Sequence, residues 1–196
     1  MLASLAAACA HRAVRTVVPD WDVGAPDRGA DALRSSLRVA RGIADRAGAP
    51  LVVVGWSLGG TAALSVALAS LGGGAVVVGL AADTDERSPL TGRSPAAELG
   101  RQGQRVPRLS LLHGTADTVV RPDRAEEFRD RCAAAGVACE LTLVDTDHAG
   151  VIGTAYDPTR RLCVPSTGPA ARRGLAAAVG LVVRAAERAR ATDPPA

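Results

Sequence analysis

The sequence predicts a three-layer α/β/α domain with a mostly parallel central sheet. Two observations predict it: short, continuous apolar runs recur along the chain, and helical segments with recognisable ends lie between them. The apolar runs in the middle of the chain do not alternate with polar residues, which is typical of strands buried on both faces. Strands and helices that alternate along a chain favour a parallel sheet with helices packed on each side, joined by right-handed crossovers.

The predicted elements follow one another in a regular order. The strands are expected at residues 15–21, 50–56, 75–80, 108–114 and 139–145. The helices are expected at residues 31–47, 58–71, 122–135 and 169 to about 190, with a weak one at 95–99. The third of these has clear ends, because Pro122 suits a first helical turn, Asp123 lies near the positive end of the helix dipole and Gly136 suits the residue that closes a helix.

The first ten residues, MLASLAAACA, have the apolar stretch and small residues of a signal peptide, but they lack its positive n-region. Leu2, Leu5 and Cys9 recur at helical spacing. A helix that faces the core is therefore favoured over a signal peptide.

A length of 196 residues, with 47% apolar and 22% charged residues, predicts one domain over residues 1–196 with a real core. Residues 81–107 are rich in Asp, Ser, Gly, Pro and Arg. So long a connection is uncommon unless it has a function, and we interpret it as a substrate-facing lid or rim. Residues 191–196 are expected to fray.

Composition argues against several classes of protein. The net charge is only +3, all 23 basic residues are arginines, and aromatic residues make up 2% of the chain, so a nucleic-acid platform is not supported. No apolar run approaches the 18 to 20 or so residues that span a membrane. The four cysteines contain no CxxC pair, and the three histidines form no metal-ligand spacing. We expect a soluble, cytoplasmic protein with small buried cysteines and no metal.

The chemistry is predicted by the sequence G-x-S-x-G at residues 55–59, which follows an apolar strand and opens an alanine-rich helix. A serine on such a sharp turn needs neighbours without bulk, and Gly55 and Gly59 provide the clearance. The helix that begins at Leu58 directs its free N–H groups toward the place where an oxyanion would form. Ser57 is therefore the candidate nucleophile. The alternative is a tight turn with an incidental serine.

A serine hydroxyl needs a base, and the chain has three histidines. His11 precedes the first predicted strand, at the edge opposite to that where α/β sheets hold ligands, and is expected on the surface or at a helix end. His113 precedes Gly114 in a turn and is expected to pack or hydrogen-bond there. His148 follows the last predicted strand, in a loop at the carboxyl edge of the sheet, and is the candidate base.

The orienting acid is predicted to be Asp117, which leaves another strand at the same edge and is reachable from His148. Asp145 and Asp147 are the alternatives, but neighbours in one loop tend to point away or to cap a turn. The order Ser57, Asp117, His148 along the chain is the order found in α/β hydrolases.

These motifs give the chain a resemblance to the α/β-hydrolase-fold serine hydrolases, and in particular to the small carboxylesterase and lipase-like members. The resemblance covers about residues 15–190 and is carried by GWSLGG at 55–60, HGTADTVV at 113–120 and DHAG at 147–150, with a looser match at 17–40. It implies cleavage of a small carboxylic ester or another acyl substrate through an acyl-enzyme, without a cofactor. Leu58 would supply an oxyanion-hole N–H, and Trp56 would either line the substrate pocket or pack beside the elbow.

The chain departs from that family in one respect. The second oxyanion donor usually comes from a loop, often HGGG-type, between an earlier strand and the first helix, and this sequence has no such stretch. There are two explanations. Either the strand at residues 15–21 pairs directly with the strand at 50–56, or the gene product begins upstream of Met1. Two other readings are a truncated, non-catalytic relative that binds a ligand or partner, and a thioesterase, peptidase or acyltransferase that uses the same site.

Overall fold

The computed structural model describes residues 2–19, 21–69, 75–100 and 108–192. Its central sheet has four parallel strands that lie side by side in chain order: β1 (Val52–Trp56), β2 (Val76–Leu80), β3 (Leu109–Gly114) and β4 (Cys139–Val144). These strands confirm four of the five predicted from continuous apolar runs. β2 and β3 lie inside the sheet, and nearly all of their side chains are buried.

The helices of the described chain agree with the predicted ones to within about two residues where both ends can be compared. They are α1 (Ala3–Ala10), α2 (Ala30–Arg46), α3 (Leu58–Leu68), α4 (Pro95–Leu99), α5 (Pro122–Ala134) and α6 (Pro169–Thr192), with a 3₁₀ turn at Gly150–Ile152. α3 was predicted to reach residue 71 but ends at Leu68, with Ala69 as its C-cap; the last two predicted residues, 70 and 71, lie outside the described part of the chain. α6 continues to Thr192, two residues beyond its expected end.

The order of the strands fixes which face each helix covers. Strands added one after another in the same direction, through right-handed crossovers, leave all of the connecting helices on one face of the sheet. α3, α4 and α5 are those helices. The opposite face is covered by α6 and α1, which also pack against each other. The result is the three-layer α/β/α arrangement predicted from the sequence.

Alternate side chains of the strands enter two separate cores. On one face, Val78 and Leu80 of β2 pack with Leu181 of α6 and Leu5 of α1. On the other face, side chains of β2 and β3 pack with Leu64 of α3 and Phe128 of α5. Leu5 and Cys9 are buried, so α1 is a core-facing helix in this structure.

The strand predicted at residues 15–21 is wrong for the part of it that the structure describes. Residues 15–19 form no ladder, and Val17 and Val18 are each 51% exposed. A run of apolar, β-branched residues becomes a strand only where another strand supplies hydrogen-bond partners. In the described part of the chain β1 pairs only with β2, so the expected direct pairing of residues 15–21 with β1 does not occur.

One β-element was not predicted. Strands β5 (Thr154–Asp157) and β6 (Leu162–Pro165) form an antiparallel hairpin between the 3₁₀ turn and α6. Each strand is only four residues long, which is too short for alternation to distinguish it from a loop. The turn residues of DPTR at 157–160 were the available signal.

The segment predicted as a lid or rim is described from residue 81 to residue 100, and residues 101–107 lie outside the described part. Its beginning is firmly packed: the Thr61 hydroxyl of α3 donates to the Asp83 carbonyl (2.7 Å), and the Thr84 hydroxyl donates to the Arg124 carbonyl of α5 (3.3 Å). This part of the segment is attached to the helices on one face of the sheet. Its contact with substrate stays a prediction.

The four cysteines are all free thiols; Cys9 and Cys132 are buried, and Cys139 and Cys163 are half-buried. The expectation that they are small buried residues therefore applies to two of them. Among the residues that the structure describes, no helix is long and apolar enough to cross a bilayer.

Candidate active site

Ser57 lies alone on the turn between β1 and α3, since the strand ends at Trp56 and the helix begins at Leu58. Its backbone has φ 55° and ψ −125°, a conformation that side-chain-bearing residues rarely adopt. The Ser57 N–H donates to the Leu80 carbonyl at the end of β2 (2.9 Å), and the Thr61 N–H donates to the Ser57 carbonyl (3.1 Å). The neighbouring strand and the serine's own helix thus hold the strained turn in place.

The glycines around Ser57 are required by close backbone approach. A Cβ on Gly55 would lie 1.9 Å from the carbonyl oxygen of Gly59, and a Cβ on Gly60 would lie 2.7 Å from the Cβ of Ala82. Both distances are far below contact distance, and at Gly55 the obstacle is backbone. The clearance predicted at Gly55 is confirmed, because the turn closes there only without a side chain. The prediction for Gly59 is not, since a Cβ there would meet only the Trp21 ring, at 3.4 Å; the second crowded position is Gly60, which was not predicted.

His148 is held between Ser57 and Asp117. Its Nε2 lies 3.0 Å from the Ser57 hydroxyl oxygen, and its Nδ1 lies 2.7 Å from Asp117 Oδ2. A carboxylate only accepts hydrogen bonds, so we assign the ring proton to Nδ1, which leaves Nε2 free to accept from the serine hydroxyl. The histidine side chain is 12% exposed and the aspartate side chain is fully buried. The structure therefore brings together the three side chains predicted from the sequence.

The carboxylate of Asp117 accepts three hydrogen bonds and is contacted by a fourth N–H group. Oδ1 accepts from the backbone N–H groups of Val119 and Val120, both at 2.9 Å. Oδ2 accepts from His148 Nδ1, and His113 Nε2, which is hydrogen-bonded to the Val120 carbonyl, lies 3.2 Å from the same oxygen. Burial acts to raise the pKa of Asp117, but the N–H groups of His113, His148 and Val120 outweigh it and hold the pKa well below its ordinary value. Asp117 is therefore a stable anion within the protein.

The two alternative acids have other partners. Asp147 Oδ1 accepts from the Gly150 N–H (2.7 Å) and so caps the turn after His148. Asp145 Oδ2 accepts from Arg173 of α6 (2.6 Å) on the protein surface. Both contacts agree with the reasoning that neighbours in this loop tend to cap turns or point away.

Two tryptophans lie against the turn. The indole N–H of Trp56 donates to the His148 carbonyl (2.9 Å), and the Trp56 and His148 rings are 5.0 Å apart and inclined at 43°. Trp21 lies on the other side, where a Cβ on Gly59 would be 3.4 Å from its ring. Trp56, the last residue of β1, thus connects the strand that precedes Ser57 with the loop that carries His148. Its contact with substrate stays a prediction.

The other two histidines, His11 and His113, lie in different environments, one on the surface and one in the interior. His11 is exposed at the carboxyl end of α1, as expected. His113 is only 1% exposed, and its Nε2 lies 2.8 Å from the Val120 carbonyl. The sequence predicted a packed or hydrogen-bonded residue at this position but not its contact with Asp117. The spacing of four residues across the HGTAD turn was the signal that was missed.

The arrangement of hydroxyl, imidazole and buried carboxylate is able to transfer a proton from the serine to the histidine while the carboxylate holds the ring in one tautomer. In the described ranges 2–19, 21–69, 75–100 and 108–192, no three His, Cys, Asp or Glu side chains are clustered to hold a metal ion.

Comparison with known proteins identifies the fold. No protein-family model and no curated protein sequence matches the chain. Among solved structures, it is similar to a protein from Klebsiella pneumoniae to which dienelactone hydrolase activity is assigned, with a TM-score of 0.56, 18% identity and 81% of this chain covered. It is also similar to a puromycin-hydrolysing peptidase from Mycobacterium tuberculosis, with a TM-score of 0.53, 21% identity and 84% of this chain covered. The chain has the α/β-hydrolase fold.

The two similar structures are longer than the region of similarity. The match spans 62% of the Klebsiella chain and 26% of the mycobacterial chain. At these identities the comparison defines the fold, and the function has to be argued from the site itself.

The close approach at Gly55 leads to a first prediction. Gly55→Ala should lower the free energy of unfolding by at least about 1–3 kcal/mol, since the new methyl group collides with the backbone of Gly59. Chemical denaturation measures the effect. Gly100→Ala is the matched control, because Gly100 has helical φ and open space around it. Equal stability of the two variants would contradict the proposed backbone constraint.

The depressed pKa of Asp117 leads to a second prediction, for Asp117→Asn. A carboxylate whose pKa is lower in the folded state contributes stability above the unfolded pKa, about 3.9 for Asp, and loses it as the pH falls toward the folded pKa. Urea denaturation should therefore show a larger deficit of the variant against wild type at pH 7 than at pH 3. Asp31→Asn, at a carboxylate 88% exposed, is the control for removal of one surface charge. A deficit that is independent of pH contradicts the prediction.

Proposed function

We propose that the protein is a serine hydrolase that cleaves carboxylic esters through an acyl-enzyme, with Ser57, His148 and Asp117 as its catalytic residues. The observation that carries the proposal is the continuous hydrogen-bonded path from the Ser57 hydroxyl through His148 to Asp117, with separations of 3.0 and 2.7 Å. These distances lie within the range in which a base takes a proton from a nucleophile.

In the first half of the proposed reaction, Ser57 Oγ attacks the ester carbonyl while its proton moves to His148 Nε2. The resulting imidazolium is stabilised by the Asp117 carboxylate, which stays ionised throughout. Collapse of the tetrahedral intermediate breaks the bond to the alcohol, which leaves with the proton from His148. In the second half, water gives a proton to His148 as it attacks the acyl-serine; collapse of this intermediate breaks the bond to Ser57 Oγ, which regains the proton from His148, and the carboxylic acid is released.

The developing oxyanion is assigned to the backbone N–H of Leu58. Leu58 is the first residue of α3, so its N–H has no partner within the helix and lies at the positive end of the helix dipole. With this one assigned donor, the rate is expected to be about 10²- to 10³-fold below that of a site with two.

An ester is the proposed substrate class, and amide and thioester substrates are the competing classes for the same nucleophile. The two similar structures support both kinds of chemistry: one is assigned as a dienelactone hydrolase, and lactones are cyclic esters, whereas the other is named a peptidase. A panel of ester, thioester and amide substrates that share one acyl group distinguishes the classes. The proposal requires the ester to give the highest kcat/KM.

Activation of Ser57 leads to a third prediction. A fluorophosphonate probe should label the purified 196-residue protein at Ser57, and Ser57→Ala should abolish labelling with little change in stability, because only the hydroxyl is removed. Intact-mass spectrometry measures the adduct. Ser65→Ala is the matched control, since Ser65 is a buried serine of α3, the helix that follows Ser57, and its hydroxyl donates to the Thr61 carbonyl. No adduct on folded wild-type protein would favour a non-catalytic member of the fold.

The choice of acid leads to a fourth prediction. Asp117→Asn should lower kcat by orders of magnitude, because an amide no longer fixes the His148 tautomer or stabilises the imidazolium. Asp147→Asn should have a much smaller effect, since Asp147 only caps the following turn. Steady-state kinetics with the best ester measures both. The reverse order of the two variants would transfer the acid role to Asp147.

A further inference from the structure

The buried imidazole of His113 has a position in the site that the proposed reaction does not use. It lies near the end of β3, four residues before Asp117, and its side chain is 1% exposed. A buried imidazole of this kind needs hydrogen-bond partners to offset the loss of water. An apolar side chain could be buried at this position with a smaller desolvation free energy. The hydrogen-bond partners of His113 therefore indicate why the position carries an imidazole.

Both partners of His113 belong to the turn that carries the acid. Nε2 lies 2.8 Å from the Val120 carbonyl oxygen and 3.2 Å from Asp117 Oδ2. A carbonyl and a carboxylate only accept hydrogen bonds, so Nε2 carries the proton; it donates to the Val120 carbonyl and attracts the nearby Asp117 carboxylate electrostatically. One N–H group thus connects β3 to each end of the segment from Asp117 to Val120.

The contact with Asp117 is made to the oxygen that serves His148. Oδ1 is already engaged by the N–H groups of Val119 and Val120, which come from the turn itself. These two bonds move with the turn and do not fix it relative to the sheet. His113 supplies, from the sheet, an N–H group that is hydrogen-bonded to the Val120 carbonyl and lies 3.2 Å from the carboxylate oxygen that faces the catalytic histidine.

We propose that His113 is a positioning residue for the reaction, and that its Nε2–H holds the Asp117 carboxylate and its turn in the orientation that His148 requires. This inference rests on the proposed function. His113 does not touch the reacting atoms; it acts through Asp117 alone.

The test compares two substitutions of His113 in the 196-residue chain. His113→Leu removes the donor and keeps a buried side chain of moderate size, whereas His113→Gln retains an N–H donor at a similar reach. His113→Leu should lower kcat about 10- to 100-fold with little change in KM, the range for the loss of an N–H donor beside a charged group. His113→Gln should recover most of that loss. Equal kcat in wild type and His113→Leu, or no recovery in His113→Gln, would overturn the proposal.

A pH profile separates positioning from simple packing. In His113→Leu the carboxylate stabilises the imidazolium of His148 less well, so the acid limb of the kcat/KM profile should move to lower pH. The groups that face His148 are Asp117 from the β3 turn, and Trp56 and Ser57 from the elbow. A limb that keeps its wild-type position despite a lower rate assigns His113 a packing role only.

The matched control for lost buried polarity is Ser110→Ala. Ser110 lies on the same strand and is fully buried, but its hydroxyl is within 3.4 Å of Glu140 and Arg188, on the opposite face of the sheet from His113. This variant should lose stability without a shift of the acid limb. A shift equal to that of His113→Leu would overturn the assignment to His113.

A second readout is independent of turnover. The Nδ1 proton of His148, hydrogen-bonded to a carboxylate, should give a downfield ¹H NMR signal that Asp117→Asn abolishes. His113→Leu should displace or broaden this signal and His113→Gln should restore it; an unchanged signal in His113→Leu would overturn the proposal. If wild-type protein is not labelled by fluorophosphonate, the proposed function fails while the NMR comparison still decides the role of His113.

Discussion

The carboxylate of Asp117 is a full negative charge without access to water, and the site is built around its stabilisation. Burial of an unpaired charge costs several kcal/mol, so such a group persists only where donors replace its hydration shell. Here four N–H groups do so, from Val119, Val120, His113 and His148. Two of these donors are backbone groups of its own turn. The other two are histidines from different parts of the chain, so stabilisation of the anion also sets the geometry of the site.

The parallel sheet explains why these groups meet. Ser57 follows β1, Asp117 follows β3 and His148 follows β4, so all three leave the carboxyl ends of strands that share one edge. β2 lies between β1 and β3 in the sheet. The carbonyl of Leu80, its last residue, accepts a hydrogen bond from the Ser57 N–H. The nucleophile is thus fixed by a strand that contributes no catalytic side chain.

The sequence alone predicted those features of the fold and site whose physical cause lies within a few residues along the chain. The buried strands were predicted by runs such as VVVGL at 76–80, and the elbow by a glycine, Gly55, that permits a backbone approach within a few residues. Partners distant along the chain could not be predicted in the same way. Residues 15–19 have the composition of a strand, but a strand depends on a neighbour, and composition does not report one. The contact of His113 with Asp117 likewise depends on how the HGTAD turn folds back, which the spacing alone does not determine.

The position of the tryptophans has an optical consequence. The chain has two tryptophans; Trp56 stacks near the His148 ring and Trp21 lies against Gly59, so both indoles flank the serine turn. A protonated imidazole quenches a nearby indole, whereas a neutral one does so far less. The tryptophan fluorescence of the protein therefore originates beside Ser57 and is sensitive to the charge on His148, which provides an unlabelled optical signal of the state of the site.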